Sequence, residues 1–181
     1  MPQRRVLALP VAVSLCLACI AAALAATLPE TPDKLKAPAE QTLAFELRAT
    51  GVQIYTCAAR KDDAAKFEWT LVAPEAELFD AAGKKFGKHY AGPTWEAADG
   101  SKVVGELKAR DDGPDANAIP WLLLGAKSTA GNGALSKTTS IQRLRTVGGK
   151  APSTGCAQGA DAGKEVRVPY QAAYYFYTAK P

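Results

Sequence analysis

The strongest constraint on this chain is alternation. Leu43, Phe45 and Leu47 interleave with Ala44, Glu46 and Arg48, and Phe67, Trp69 and Leu71 interleave with Glu68, Thr70 and Val72. A period of two places successive side chains on opposite faces of a strand, so each segment is predicted to lay one face on a core. Residues 52–57, entered through Gly51, and residues 138–147 carry the β-branched and aromatic content of further strands. The apolar run 119–126 has the length of a buried strand, and residues 166–178 close the chain with Tyr170, Tyr174, Tyr175, Phe176 and Tyr177. No long stripe repeats every 3.6 residues. The expectation is an all-β or nearly all-β fold, an antiparallel β-sandwich or small barrel.

Turn chemistry falls between these runs. Residues 78–87 and 98–105 both set Asp and Gly ahead of a basic residue, which suits two hairpin turns of a meander. Residues 111–115 read as a polar loop, Gly131-Asn132-Gly133 as a turn, and residues 148–163 as a long glycine-rich loop holding Cys156.

The first 25 residues do not belong to that pattern. Arg4 and Arg5 precede an almost wholly apolar stretch ending in Ala23-Leu24-Ala25, the form of a secretory signal peptide cleaved after Ala25. An uncleaved anchor is the alternative, because the apolar run reaches the ~18 residues that span a bilayer; Pro10 and the small-residue end argue for removal. After cleavage no membrane span remains. Residues 26–41, with Pro29, Pro32 and Pro38, read as an extended N-terminal arm, and residues 42–181 as one β-rich domain. The expected location is secreted or periplasmic. In such a compartment Cys57 and Cys156, the cysteines outside the leader, are expected to form one disulfide closing a loop of about 100 residues. The formal charge of +4 includes Arg4 and Arg5, so the remainder lacks the strong basic excess of a nucleic-acid-binding face.

The densest chemistry lies in residues 88–101, around the single histidine, His89. One His and two disulfide-bonded Cys cannot build a usual zinc site, and neither a metal nor a cofactor is expected. No G-x-G-x-x-G follows a strand, no phosphate-binding loop is present, and no G-x-S-x-G elbow supports a serine nucleophile. His89, Trp95, Glu96 and Asp99 are the candidate binding residues, with Trp95 read as a surface aromatic and Trp69 and Trp121 as core. Clustered aromatic and polar side chains on one rim would suit a glycan or another cell-envelope component. The alternatives are a small hydrolase acting on a polysaccharide or ester, with Glu96 or Asp99 as acid/base or His89 as base, and a structural or interaction protein without a small-molecule site.

Several blocks together resemble a known family. They are residues 51–57 (Gly-Val-Gln-Ile-Tyr-Thr-Cys), His89 with residues 92–96 and 99–101, the Ile119-Pro120-Trp121 run, Ile141-Gln142-Arg143-Leu144 with Gly148-Gly149 and Cys156, and Val168-Pro169-Tyr170 through Tyr177. The chain resembles the secreted domain-of-unknown-function family DUF3455 of bacteria and fungi. That resemblance implies an exported single domain and carries no catalytic residues across. Some fungal members bear a malate dehydrogenase label, which the absence of a dinucleotide fingerprint here does not support.

Overall fold

A computed structural model describes residues 30–181, so the expected leader, its cleavage site, Cys16 and Cys19 lie outside the described residues. The alternating segments become eight strands: β1 (Gln41–Ala59), β2 (Phe67–Phe79), β3 (Lys85–Tyr90), β4 (Thr94–Ala97), β5 (Lys102–Asp111), β6 (Trp121–Ala130), β7 (Thr138–Gly148) and β8 (Glu165–Ala179). Each pairs antiparallel with its sequence neighbour, and β1 pairs with β8, giving a closed up-and-down barrel. Closure leaves no unpaired sheet edge, and eight strands enclose a space that side chains fill or that holds one small ligand. Of the sandwich and the barrel, the barrel is the architecture formed.

Both expected hairpin turns are present, with Gly83 and Gly100 at positive φ. β1 runs unbroken through Gly51, joining two segments that the sequence separates. A bulge between Leu43 and Phe45 then reverses parity. Phe45 and Leu47 face the interior, where Phe45 stacks on Phe176 at 5.0 Å, while Leu43 packs outside. The alternating residues of β2 divide as well: Leu71 is 51% exposed, and Trp69 is half-buried with its Nε1–H donating to the Thr154 carbonyl at 2.9 Å.

From Ala172 to Tyr177 β8 is buried on both faces, which accounts for its unbroken aromatic run. Tyr174 and Phe176 point into the barrel; Tyr175 and Tyr177 point outward, beneath the N-terminal arm. The arm makes a 3-10 turn at Asp33–Leu35 and buries Leu35 completely against Leu144 and Tyr175. Burying one leucine in this way contributes roughly 1.5–3 kcal/mol. The expected disulfide joins Cys57 and Cys156, with Cα atoms 5.4 Å apart, and fastens the long β7–β8 loop to β1.

One barrel end is plugged. Leu135, from the β6–β7 loop, is fully buried in the interior cluster. Asp99 holds that loop in place, accepting from the Ala134 N–H at 2.9 Å and from the Ser101 hydroxyl at 2.6 Å, while the Ser101 oxygen accepts from the Leu135 N–H. Gly133 leaves room for that carboxylate: a Cβ there would lie 2.2 Å from it, so a larger residue would displace Asp99 from its bonds.

Candidate functional site

Parity decides where each candidate residue goes. His89 on β3 faces Trp95 on β4, and both turn inward; their rings stack at 4.4 Å with planes 15° apart. Trp95 is 1% exposed, so the expected surface aromatic is a core residue instead. Its ring fits because β5 carries Gly105 alongside, where a Cβ would approach Trp95 Cζ3 to 2.9 Å. Trp121, expected in the core, packs half-buried on the outer cluster.

Glu96, adjacent in sequence to Trp95, necessarily points outward. It accepts a hydrogen bond from the Tyr90 hydroxyl at 2.7 Å and pairs with Lys102 at 3.3 Å and Lys88 at 3.6 Å. The Tyr90 bond above all, with help from the lysines, holds its carboxyl below the ordinary glutamate range. Asp99 sits at the plugged end, held low chiefly by the Ser101 hydroxyl. His89 and Trp95 therefore share a site, whereas Glu96 and Asp99 occupy two other surfaces. Neither Ser101 nor Glu96 bonds His89, so neither is coupled to it as a nucleophile or acid.

His89 is 3% exposed, and its Nδ1 lies 2.9 Å from the Thr94 carbonyl. A carbonyl only accepts, so Nδ1 carries the proton and Nε2 is left as the acceptor. Burial pushes the imidazole pKa down to about 3, opposed by the Thr94 bond and assisted by the charge of Arg143. The ring is neutral at physiological pH and a weak base.

At the end opposite Leu135 the barrel opens into a cavity of about 840 Å³. Its floor is formed by Trp95, His89, Leu124 and Tyr174; the β3–β4 turn, the β5–β6 loop and the start of the β7–β8 loop surround the mouth. Leu71, Val72 and Leu107, exposed by 51%, 57% and 59%, give the mouth an apolar lip.

Arg143 reaches into this cavity from β7, opposite Tyr174 of β8 and Leu122 of β6. Its Nε and one terminal nitrogen donate to the Pro120 carbonyl at 3.1 and 2.8 Å, which fixes the plane of the guanidinium. Asp112, the acidic residue in the cavity wall, pairs with Arg110 instead. Among the described residues no carboxylate forms an ion pair with Arg143. Gln53 Nε2, Trp95 Nε1 and the Tyr174 hydroxyl, all in cavity-lining side chains, are buried without a protein hydrogen-bond partner, as is the neighbouring Tyr170 hydroxyl. Tyr174 lies near both Tyr170 and Arg143 without reaching bonding geometry to either, and burial raises both phenols above the ordinary range.

Arg143, Gln53 and Tyr174 were not among the sequence candidates. The available signal was parity: Arg143 shares the face of Ile141, and Gln53 that of Leu47, so both are polar residues at core-facing positions. Arg145 does not join Arg143. A bulge between Leu144 and Val147 turns it outward, 5.9 Å from the Tyr175 ring, with φ at 49°.

A family model described as "Protein of unknown function (DUF3455)" matches residues 38–178. No curated protein and no solved structure matches the chain.

Proposed function

Since the chain belongs to the DUF3455 family, whose description assigns no activity, we propose from the site itself that it is an exported binding module that takes a small molecule into the open end of its barrel. The observation that carries this reading is the cavity of about 840 Å³ with buried, unpartnered polar groups in its walls. Native interiors pair almost all buried polar atoms, and leaving one unpaired costs about 1–3 kcal/mol, so several around one cavity mark a ligand site more than a packing defect. The volume lies within the usual range of small-molecule pockets, roughly 300–1,000 Å³, and the walls have the usual mixture of apolar surface and few polar groups.

A ligand drawn from the cell envelope suits the leader of residues 1–25, which supports a secreted or periplasmic location. No helix among the described residues is long and apolar enough to cross a membrane. Recognition of a glycan on an exposed Trp95 platform loses its geometric basis, because that ring is buried. The hydrolase alternative has less support than binding. Glu96 is held ionised on the outer wall, and His89 is too weakly basic to activate a nucleophile well.

The test is saturable binding of Nile red, a neutral apolar dye, by fluorescence. Micromolar binding that Leu122→Trp weakens at least tenfold, at an unchanged circular dichroism spectrum, is the expected result. Absence of binding, or undiminished binding by a folded Leu122→Trp protein, would overturn the proposal.

A further inference from the structure

The chemistry of the cavity walls restricts what the ligand can be. We infer that the barrel takes an amphipathic carboxylate, its carboxylate held by Arg143 with Tyr174 and Gln53 and its apolar body lying along Leu122 and the lip; this inference rests on the binding reading above.

The polar groups of the cavity share one sign. The Gln53 amide nitrogen and the Trp95 indole nitrogen can only donate, and a phenol donates readily to an anion. The Pro120 carbonyl occupies two of the five guanidinium N–H groups of Arg143 and supplies no charge. A cation beside such donors, with no carboxylate paired to it among the described residues, is complementary to an anion with several acceptor lone pairs. A neutral sugar presents about as many donors as acceptors and would leave the guanidinium charge uncompensated in a poorly solvated site. His89, as a neutral ring, adds no charge of its own; of the other cations in the lining, Arg110 pairs with Asp112 and Lys150 donates to the Ala116 carbonyl, so the positive charge around the cavity is in excess.

Their position in the barrel points to the same ligand. Arg143 pairs across β7–β8 with Tyr174, one inward step toward the mouth from the Ile141–Phe176 pair that closes the interior core. The headgroup therefore lies within the barrel, and the remaining wall toward solvent includes Leu122, Pro93, Pro74, Leu71, Val72 and Leu107. An exposed apolar lip is poor shelter for a wholly polar ligand and good shelter for a hydrocarbon body. Planar, bidentate pairing makes Arg better suited than Lys to a carboxylate at such a site.

Three probes of equal chain length separate the possibilities by isothermal titration calorimetry: dodecanoate, dodecanol and dodecyltrimethylammonium, each below its micellar concentration. Dodecanoate is expected to bind at least tenfold tighter than dodecanol and to exceed the cation by more. Arg143→Gln should remove the preference for the acid, Tyr174→Phe should weaken dodecanoate several-fold, and Arg143→Lys should recover part of the preference, which separates loss of charge from loss of fold. Equal affinity for acid and alcohol, or an acid preference that survives Arg143→Gln, would overturn the inference while Nile red binding keeps the cavity reading intact. Failure of all three probes together with Nile red would overturn both.

Discussion

The His89 and Trp95 rings stack 4.4 Å apart inside the barrel, and this contact joins the strand pair β3–β4 to the cavity floor. Tyr174 meets both rings edge-on, at 5.1 and 5.3 Å, so one aromatic cluster supports the floor beneath Arg143. The cluster is sensitive to volume and to charge.

Trp95→Ala removes a large, fully buried side chain and should destabilise the protein by about 3–5 kcal/mol in chemical denaturation. Gly105→Ala attacks the same contact from β5, crowding the ring, and should cost about 1–3 kcal/mol. A Trp95→Ala protein of wild-type stability would contradict the core placement.

His89 predicts a pH dependence. Its folded pKa, about 3, lies below the ordinary value of 6.5, so the unfolded chain binds a proton that the folded chain refuses. Its stabilising effect is complete above pH 6.5 and declines as pH falls toward 3, by on the order of 2 kcal/mol at pH 5. His89→Phe should flatten the stability profile between pH 6.5 and 5, measured as the denaturation midpoint at each pH. An unchanged slope would mean that the imidazole is not buried as a neutral ring.

Asp99 and Glu96 should behave differently from a catalytic pair. Asp99→Ala frees the plug loop, so amide hydrogens of Ala134 and Leu135 should exchange faster while Nile red binding at the far end persists. Glu96→Gln alters the outer wall and should leave binding unchanged. Loss of binding in a folded Glu96→Gln protein would relocate the site to the barrel's exterior.

The Cys57–Cys156 bond closes a loop across a sequence separation of 99. In a chain-entropy view, opening a loop of that size costs about 4.7 kcal/mol. The Cys57→Ser/Cys156→Ser double variant should therefore unfold at distinctly lower denaturant, and equal midpoints would show that the bond constrains little.

Much of the architecture was legible because alternation is a direct imprint of a pleated strand: strands and hairpins follow from it and from turn chemistry, and the cysteine pair from the two cysteines left outside an export leader. The site was less legible, since alternation says which residues share a face and not which face is inside. The bulge at Leu43/Phe45 reverses that assignment within one strand. The arm makes β8 core on both sides. Trp95, between a Pro-Thr turn and an Asp-Gly turn, has the neighbours of a surface residue, and only closure of the barrel turns it inward. Grouping His89 with Glu96 and Asp99 followed closeness in sequence, while the strand period sends Glu96 through the wall. Arg143 stood among β-branched neighbours as an ordinary strand cation; its meaning depends on Tyr174 and Gln53, which line the same cavity from distant segments.

Entry of a ligand into the barrel is reported most directly by the Trp95 indole. In a 15N–1H spectrum, with the three indole signals assigned through single Trp→Phe variants, titration with dodecanoate and with Nile red should shift the Trp95 resonance saturably while Trp69 stays in place. A saturating titration that moves Trp69 and leaves Trp95 unmoved would place binding outside the barrel and contradict the account.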